Sequence, residues 1–123
     1  MSGISINKHI YKILSEDAQL KGKVGKNIYP IVAEADCKMP FIVFTKNALR
    51  PTYFKVGVAR DIVTFQVSIV AQDYATTVDI AERVRQLLEL HTSEYFTRIT
   101  LSDCKEAYQG DAFTQTLQFE ATI

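Results

Sequence analysis

The last eleven residues alternate between apolar and polar side chains, and this pattern limits the possible folds more than any other feature of the sequence. One face of the alternation consists of Phe113, Gln115, Leu117, Phe119, Ala121 and Ile123. Five of these six residues are apolar, so the segment is typical of a β-strand that buries one face. Another layer of the molecule must cover that face.

Four other segments have strand patterns, and two have helical periodicity. The strand patterns occur in residues 28–33, 40–45, 61–71 and 98–104. Pro30 cannot donate a ladder hydrogen bond, so we expect the first of these strands to be irregular and to lie at a sheet edge. Apolar residues recur at helical spacing in 4–14 and in 73–90, and Asp73 is a suitable N-cap for the second helix. Asp17 predicts the start of a further short turn.

The order of these elements predicts an α+β fold. Strands with strong alternation usually belong to an antiparallel sheet that is covered on one side, and two helices can cover it. We therefore expect a two-layer sandwich with a mainly antiparallel sheet and two helices packed on one face. The sequence contains no linker or internal repeat, so we expect one domain over residues 1–123.

Composition excludes several classes of protein. The chain is 47% hydrophobic and 23% charged, which excludes a wholly disordered chain. No apolar run approaches the roughly 18 residues that a membrane helix needs, and the first residues lack the pattern of a secretion signal. The two cysteines, Cys37 and Cys104, fit a reducing compartment better than a disulfide scaffold.

Charge is distributed unevenly, although the net charge is zero. Residues 1–60 carry ten Lys and Arg against four Asp and Glu, and residues 61–123 carry the reverse numbers. If the two halves interleave in the fold, the charges mix. If they do not, a basic face of one copy can meet an acidic face of the next in a head-to-tail ring. A net charge of zero argues against bulk nucleic-acid binding.

Residues 47–59 form the least regular part of the sequence, and we expect a long loop or an extended hairpin there. The residues that we predict to contact another protein are Arg50, Tyr53, Phe54, Lys55 and Arg60. Arginine and aromatic residues dominate the energies of many protein interfaces. The same mixture could stack on RNA bases, or the aromatic side chains could cover the core of their own subunit. The expected counter-surface is the acidic segment 73–94 of a neighbouring copy.

The sequence contains no recognisable catalytic, metal or cofactor site. His9 and His91 have no second His or Cys at the spacing of a zinc site, and no phosphate-binding loop or nucleophile motif occurs. We expect His91 to lie at a helix C-terminus, and Cys104 to lie on the opposite strand face from Ile99 and Leu101. We therefore predict a protein that is not an enzyme and that needs no metal and no cofactor.

Two acidic pairs are the remaining candidates for catalysis. Glu34 and Asp36 form one pair, and Asp103 and Glu106 form the other. Paired carboxylates can exchange protons or hold a metal ion, but we expect both pairs in or beside loops, where solvated acids are common. The alternatives to a structural protein are therefore a small ligand-binding or RNA-binding α+β module and, third, an enzyme that uses scattered acids.

Several landmarks resemble a known family when they are taken in order. They are an amphipathic N-terminal helix, Asn-Ile-Tyr-Pro at 27–30, Met-Pro-Phe-Ile-Val-Phe at 39–44, Phe-Gln-Val-Ser-Ile-Val-Ala at 65–71, a helix at 75–90, a turn at 108–111 and the terminal strand. Together they resemble the small tail-completion, or tail-to-head joining, proteins of long-tailed phages and prophages. The resemblance covers nearly the whole chain.

The resemblance implies an α+β fold, a role in virion assembly and no catalytic residues. It implies a homo-oligomeric ring, with a hexamer as the candidate size, that caps the tail tube and joins it to the head connector. The implied partners are copies of the chain, tail-tube protein and head-connector protein, without sequence-specific nucleic acid and without a membrane. The implied locations are the host bacterial cytoplasm during assembly and the head–tail junction of the virion. A channel that conducts DNA should not bind it tightly, yet the segment 38–60 is basic. We therefore expect either that this segment faces a neighbouring subunit or that the resemblance extends to the fold only.

Overall fold

Five β-strands form one sheet in the computed structural model, which describes residues 3–54 and 57–123. In chain order the strands are β1 (Ile28–Pro30), β2 (Phe41–Phe54), β3 (Gly57–Ala71), β4 (Arg98–Gln109) and β5 (Ala112–Thr122). Their order across the sheet is β1-β2-β3-β5-β4. The β1–β2 pair is parallel, and the other three pairs are antiparallel. The expected short strand around Pro30 is confirmed at one edge of the sheet.

The helices pack on one face of this sheet. A 3₁₀ turn at Gly3–Ser5 leads into α1 (Ile6–Ser15), which is followed by α2 (Ala18–Val24) and α3 (Tyr74–Leu88). Asp17 caps α2 by accepting a hydrogen bond from the backbone N–H of Leu20 at 3.0 Å. The α+β class with a mainly antiparallel sheet is confirmed. In the described residues, α2 is present in addition to the two expected helices.

The terminal segment forms a strand with one buried face, as its alternation predicts. In β5 the side chains of Leu117, Phe119 and Ala121 are buried in the core that the sheet shares with the helices. The ring of Phe119 stacks on that of Phe65, with 5.4 Å between the ring centroids. Thr116 lies on the other face of the sheet, where its environment is only partly buried.

The segment 47–59, for which the sequence leaves a long loop and an extended hairpin open, is a hairpin in its described part. β2 and β3 continue through it as an antiparallel hairpin, and the last described pair joins Phe54 to Gly57. The hairpin alternative is therefore correct for the described part of this segment. Pro51 fits in β2 because β1 ends opposite Phe44, so β2 has an open edge there and needs no backbone N–H for a second neighbour.

A bulge in β4 overturns the prediction for Cys104. The register between β4 and β5 shifts by one residue between Leu101 and Asp103. Because side chains alternate along a strand, the extra residue Ser102 turns Cys104 to the same face as Ile99. The expectation that Cys104 lies on the opposite face is wrong, since simple alternation does not reveal a bulge.

Candidate protein-interaction surface

A two-stranded arm projects from one end of the sheet. β3 pairs with β5 from Ile62 to Ala71, so residues 57–60 have only β2 beside them among the described strands. Residues 50–54 and 57–60 are termed the arm. Four residues of extended chain span about 13 Å, and the arm extends about that far beyond the end of β5.

The predicted contact residues lie on both faces of the arm. Arg50 and Arg60 are exposed and share the sheet face away from the helices. Tyr53 lies on the helix-side face and is 65% exposed, so it does not cover the core of its own subunit. Phe54 ends β2, and Lys55 lies outside the described residues. The structure therefore groups the two arginines and places Tyr53 on the other face.

The base of the arm is tied to both ends of the described chain. The side-chain carboxylate of Asp61 accepts a hydrogen bond from the backbone N–H of Gly3 at 2.8 Å. The backbone carbonyl of Asp61 accepts another from the backbone N–H of Ile123 at 3.0 Å. A Cβ atom added at Gly3 would lie 2.7 Å from a methyl group of Val63, so only glycine allows this approach without a shift. These contacts fix the point from which the arm projects.

The two halves of the chain occupy opposite edges of the sheet. α1 packs on β1 and β2, whereas α3 packs on β3, β4 and β5. The strand order places β1 and β2 at one edge and β5 and β4 at the other. The strands of the basic half, 1–60, and of the acidic half, 61–123, therefore do not interleave in the sheet. The two halves meet where α2 packs on α3 and Asp17 pairs with Arg83 at 2.6 Å.

A groove lies between α3 and the second part of β4. The bulge at Ser102 turns the exposed side chains of Cys104 and Glu106 to the helix side of the strand. The groove has a volume of about 370 Å³, and its lining includes Val78, Glu82, Leu101, Cys104, Glu106 and Leu117. It is termed the β4 groove, and it combines an apolar floor with the acidic side chains and one basic side chain, that of Arg85.

Gln115 is the polar exception in the terminal strand, and it is buried in the wall of the β4 groove. The Tyr74 hydroxyl donates a hydrogen bond to the Glu106 carboxylate, and the Gln115 side-chain amide donates another at 2.7 Å. These two hydrogen bonds hold the pKa of Glu106 below its ordinary value. Burial, followed by the nearby charges of Glu106 and Asp103, raises the pKa of the Cys104 thiol. The wall therefore carries a carboxylate beside a neutral thiol at neutral pH.

The histidines take part in aromatic packing. His9 stacks on Tyr95 with 3.6 Å between ring centroids, and His91 meets Phe96 edge-on at 5.8 Å. The backbone N–H of His91 donates to the carbonyl of Leu88 at 3.1 Å, so His91 lies just beyond the end of α3. In residues 3–54 and 57–123, no group of three or more His, Cys, Asp and Glu residues is placed to hold a metal ion.

The two acidic pairs lie in different surroundings. Glu34 and Asp36 are in the irregular segment between β1 and β2, as expected. Asp103 and Glu106 lie within β4, so the expectation of a loop is wrong for that pair. Within the described chain, no helix is long and apolar enough to cross a membrane.

Comparison with known proteins identifies the family. Residues 8–123 match the family model of tail completion protein gp17. The chain belongs to this family. The resemblance seen in the sequence is confirmed, and a tail completion protein has a structural role in phage tail assembly.

Two solved structures show that the fold of this tail completion protein recurs. A chain from the virion of a native gene transfer agent (GTA) particle has a TM-score of 0.77 and 21% identity, over 92% of this chain and 90% of that chain. A second structure has a TM-score of 0.60 and 13% identity, over 100% of this chain and 97% of that chain. At these identities the likeness concerns the fold alone. No curated protein sequence matches the chain.

Proposed function

We propose that this tail completion protein forms a homo-oligomeric ring that caps the tail tube and joins it to the head connector. The separation of charge between the two edges of the sheet carries the proposal. The basic edge of one subunit attracts the acidic edge of the next, and this favours head-to-tail contacts. Such contacts form a closed ring when the rotations from subunit to subunit add up to a full turn. A hexamer is the size to test first.

The proposed place of the ring is the head–tail junction of the particle. The family, and the similarity of the fold to a chain of a gene transfer agent virion, support a position within the particle. The protein reaches this position from the host bacterial cytoplasm, where the particle assembles. Its role there is non-enzymatic, and the ring surrounds the path of the DNA without reading its sequence.

Within the ring, the arm is the proposed contact with a neighbouring subunit, through Arg50, Tyr53, Phe54, Lys55 and Arg60. The exposure of Tyr53 and the positive charge of Arg50 and Arg60 support this role. An RNA-stacking platform needs its aromatic and basic side chains along one surface. The arm presents Tyr53 and the two arginines on opposite faces, which favours protein contact over RNA binding.

Electron microscopy of tail tubes tests the ring. Tubes assembled without this protein and then incubated with it should carry a closed ring at one end. Wild-type protein that leaves every tube uncapped would overturn the proposal.

Charge reversal in the arm tests the contact. Arg50→Glu combined with Arg60→Glu should reduce capping strongly, because it places acids against the acidic edge of the neighbour. Lys21→Glu combined with Lys23→Glu makes the same change of net charge on the exposed surface of α2 and should reduce capping less. Equal losses in the two double variants would show that the arm is not the contact.

A further inference from the structure

We propose that the arm of one copy packs along β4 of the next copy and inserts Tyr53 into the β4 groove. The inference rests on the proposed ring, and it names the two surfaces that meet. Its starting point is an exposed tyrosine at one end of the sheet and an open groove with an apolar floor at one edge.

The arm cannot fill the groove of its own subunit. Tyr53 pairs with Val58 of β3, whereas the groove residues Leu117 and Cys104 lie in the row of Val67. Nine residues of strand separate these two rows, which corresponds to about 30 Å. The occupant must therefore come from a second copy. Such a contact joins two different surfaces and is head-to-tail.

The groove suits an aromatic side chain that carries a hydroxyl group. Val78 and Leu101 supply apolar contacts, and the Glu106 carboxylate can accept a hydrogen bond at the rim. Tyrosine has an apolar ring and a polar end, which is why it is common at the centre of protein interfaces. The volume of about 370 Å³ is ample for one tyrosine side chain and part of the strand that carries it.

β4 offers a strand edge beside the groove. It is an end strand of the sheet, so its outer backbone groups can pair with a strand of another chain. Side chains on the two faces of a strand point in opposite directions. When Tyr53 points into the groove, Arg50 and Arg60 therefore point to the face of the neighbouring sheet that the helices leave open.

The open face at that edge carries charges of both signs. Asp103 and Glu120 lie on it, with Glu120 exposed and the Asp103 side chain 48% exposed. Lys105 and the exposed Arg98 share this face, and the ammonium group of Lys105 lies 3.8 Å from the Asp103 carboxylate. On the helix side, the groove lining carries Glu82, Glu106 and one basic residue, Arg85, whose guanidinium lies 3.1 Å from the Glu89 carboxylate. The half of the chain that carries β4 and the groove has ten acids against four basic residues, and this excess favours the basic arm of a second copy over an apolar partner.

Disulfide crosslinking to the native Cys104 tests the contact. In a Cys37→Ser background, Tyr53→Cys places a thiol where the inference puts it against Cys104 of the neighbour. Oxidation with copper phenanthroline after assembly on tail tubes should give a ladder of covalent oligomers that reductant removes. Tyr53→Cys with Cys104→Ser should give no ladder. Tyr11→Cys, which replaces another exposed tyrosine on α1, should give none with Cys104 present.

An affinity measurement supplies the second readout. Tyr53→Ala should weaken association of the subunits by about tenfold or more, as loss of a buried aromatic anchor does. Rings of the Tyr53→Cys variant that form but give no covalent ladder on oxidation would overturn this docking mode and leave the ring intact. Wild-type protein that forms no oligomer in solution or on tail tubes would overturn the ring and the docking mode together.

Discussion

At the scale of single residues, the two faces of β5 should differ sharply in their contribution to stability. Phe119 is fully buried and stacks on Phe65, so Phe119→Ala should lower the free energy of unfolding by about 3–5 kcal/mol. Thr116 lies on the other face and shares a hydrogen bond of 3.3 Å with Ser68, so Thr116→Ala should cost about 1 kcal/mol. Urea unfolding of the two variants measures both values. Similar losses would mean that the faces are wrongly assigned.

The candidate site shows how far residue-level reasoning reaches. Gln115 interrupts an otherwise apolar face, and this exception is visible in the sequence. Its partner Glu106 is nine residues away across a hairpin. Tyr74, which donates a second hydrogen bond to Glu106, is 41 positions from Gln115 on a helix. Only the bulge at Ser102 turns Glu106 to the side of Gln115. The signal could be read from the sequence, whereas the arrangement that explains it depends on tertiary register.

At the scale of elements, Asp17 connects the start of α2 to α3. Its carboxylate accepts hydrogen bonds from Arg83 at 2.6 Å and 3.1 Å, and this pairing lowers the pKa of Asp17 from its ordinary value of 3.8. A carboxyl group whose pKa is lower in the folded protein than in the unfolded chain stabilises the fold at any pH above its unfolded-state pKa. This contribution is lost as the pH falls through the folded-state pKa.

Asp17→Asn keeps a side chain that can cap α2 but removes the charge. It should lower the free energy of unfolding by on the order of 1–2 kcal/mol at pH 7. The two proteins should begin to converge in stability as the pH falls below 3.8, and they should converge fully once the pH is below the lowered folded-state pKa of Asp17. Urea unfolding across this range measures the difference, with Glu16→Gln as the control at an exposed neighbour. A difference that persists at acid pH would contradict the charge-based explanation.

Strands with regular alternation were predictable, but their lengths were not. The patterns indicate the first part of β2, most of β3 and the first part of β4, since burial of one face imposes a period of two residues. The sequence leaves a loop and a hairpin open for the arm because Pro51 and Gly57 are typical of loops, whereas an open strand edge accepts both. The placement of charge in the sequence is sufficient to predict that the arm contacts another protein. It is not sufficient to place Tyr53 on the opposite face from the two arginines, because that depends on the register of the hairpin.

Hydrogen exchange should distinguish the arm from the rest of β3. Two strands without a third are only marginally stable, so the amides of residues 57–60 should exchange faster in the isolated subunit than those of residues 62–71. Assembly into the ring should slow exchange in the arm. Full protection of these amides in a verified monomer, or no change on assembly, would show that the arm does not become ordered against a neighbour.

At the scale of the whole molecule, the strand order turns an uneven sequence into a polar subunit. The chain has no net charge, so its copies do not repel one another as charged bodies. The basic half and the acidic half nevertheless lie at opposite edges of the sheet. A subunit of this kind attracts its copies in one relative direction, and the arm and the β4 groove supply the short-range contacts that such attraction needs to become specific.

Association of the subunits should therefore weaken as salt is added. The distance over which charges act in solution falls from about 10 Å at 0.1 M salt to about 3 Å at 1 M. Sedimentation equilibrium over this range should show at least about a tenfold rise in the dissociation constant of the oligomer. Arg50→Gln combined with Arg60→Gln should bind more weakly at low salt and respond less to added salt, because the arm then carries fewer charges to screen. Association that strengthens with salt would show that apolar contact, and not the separation of charge across the sheet, drives assembly.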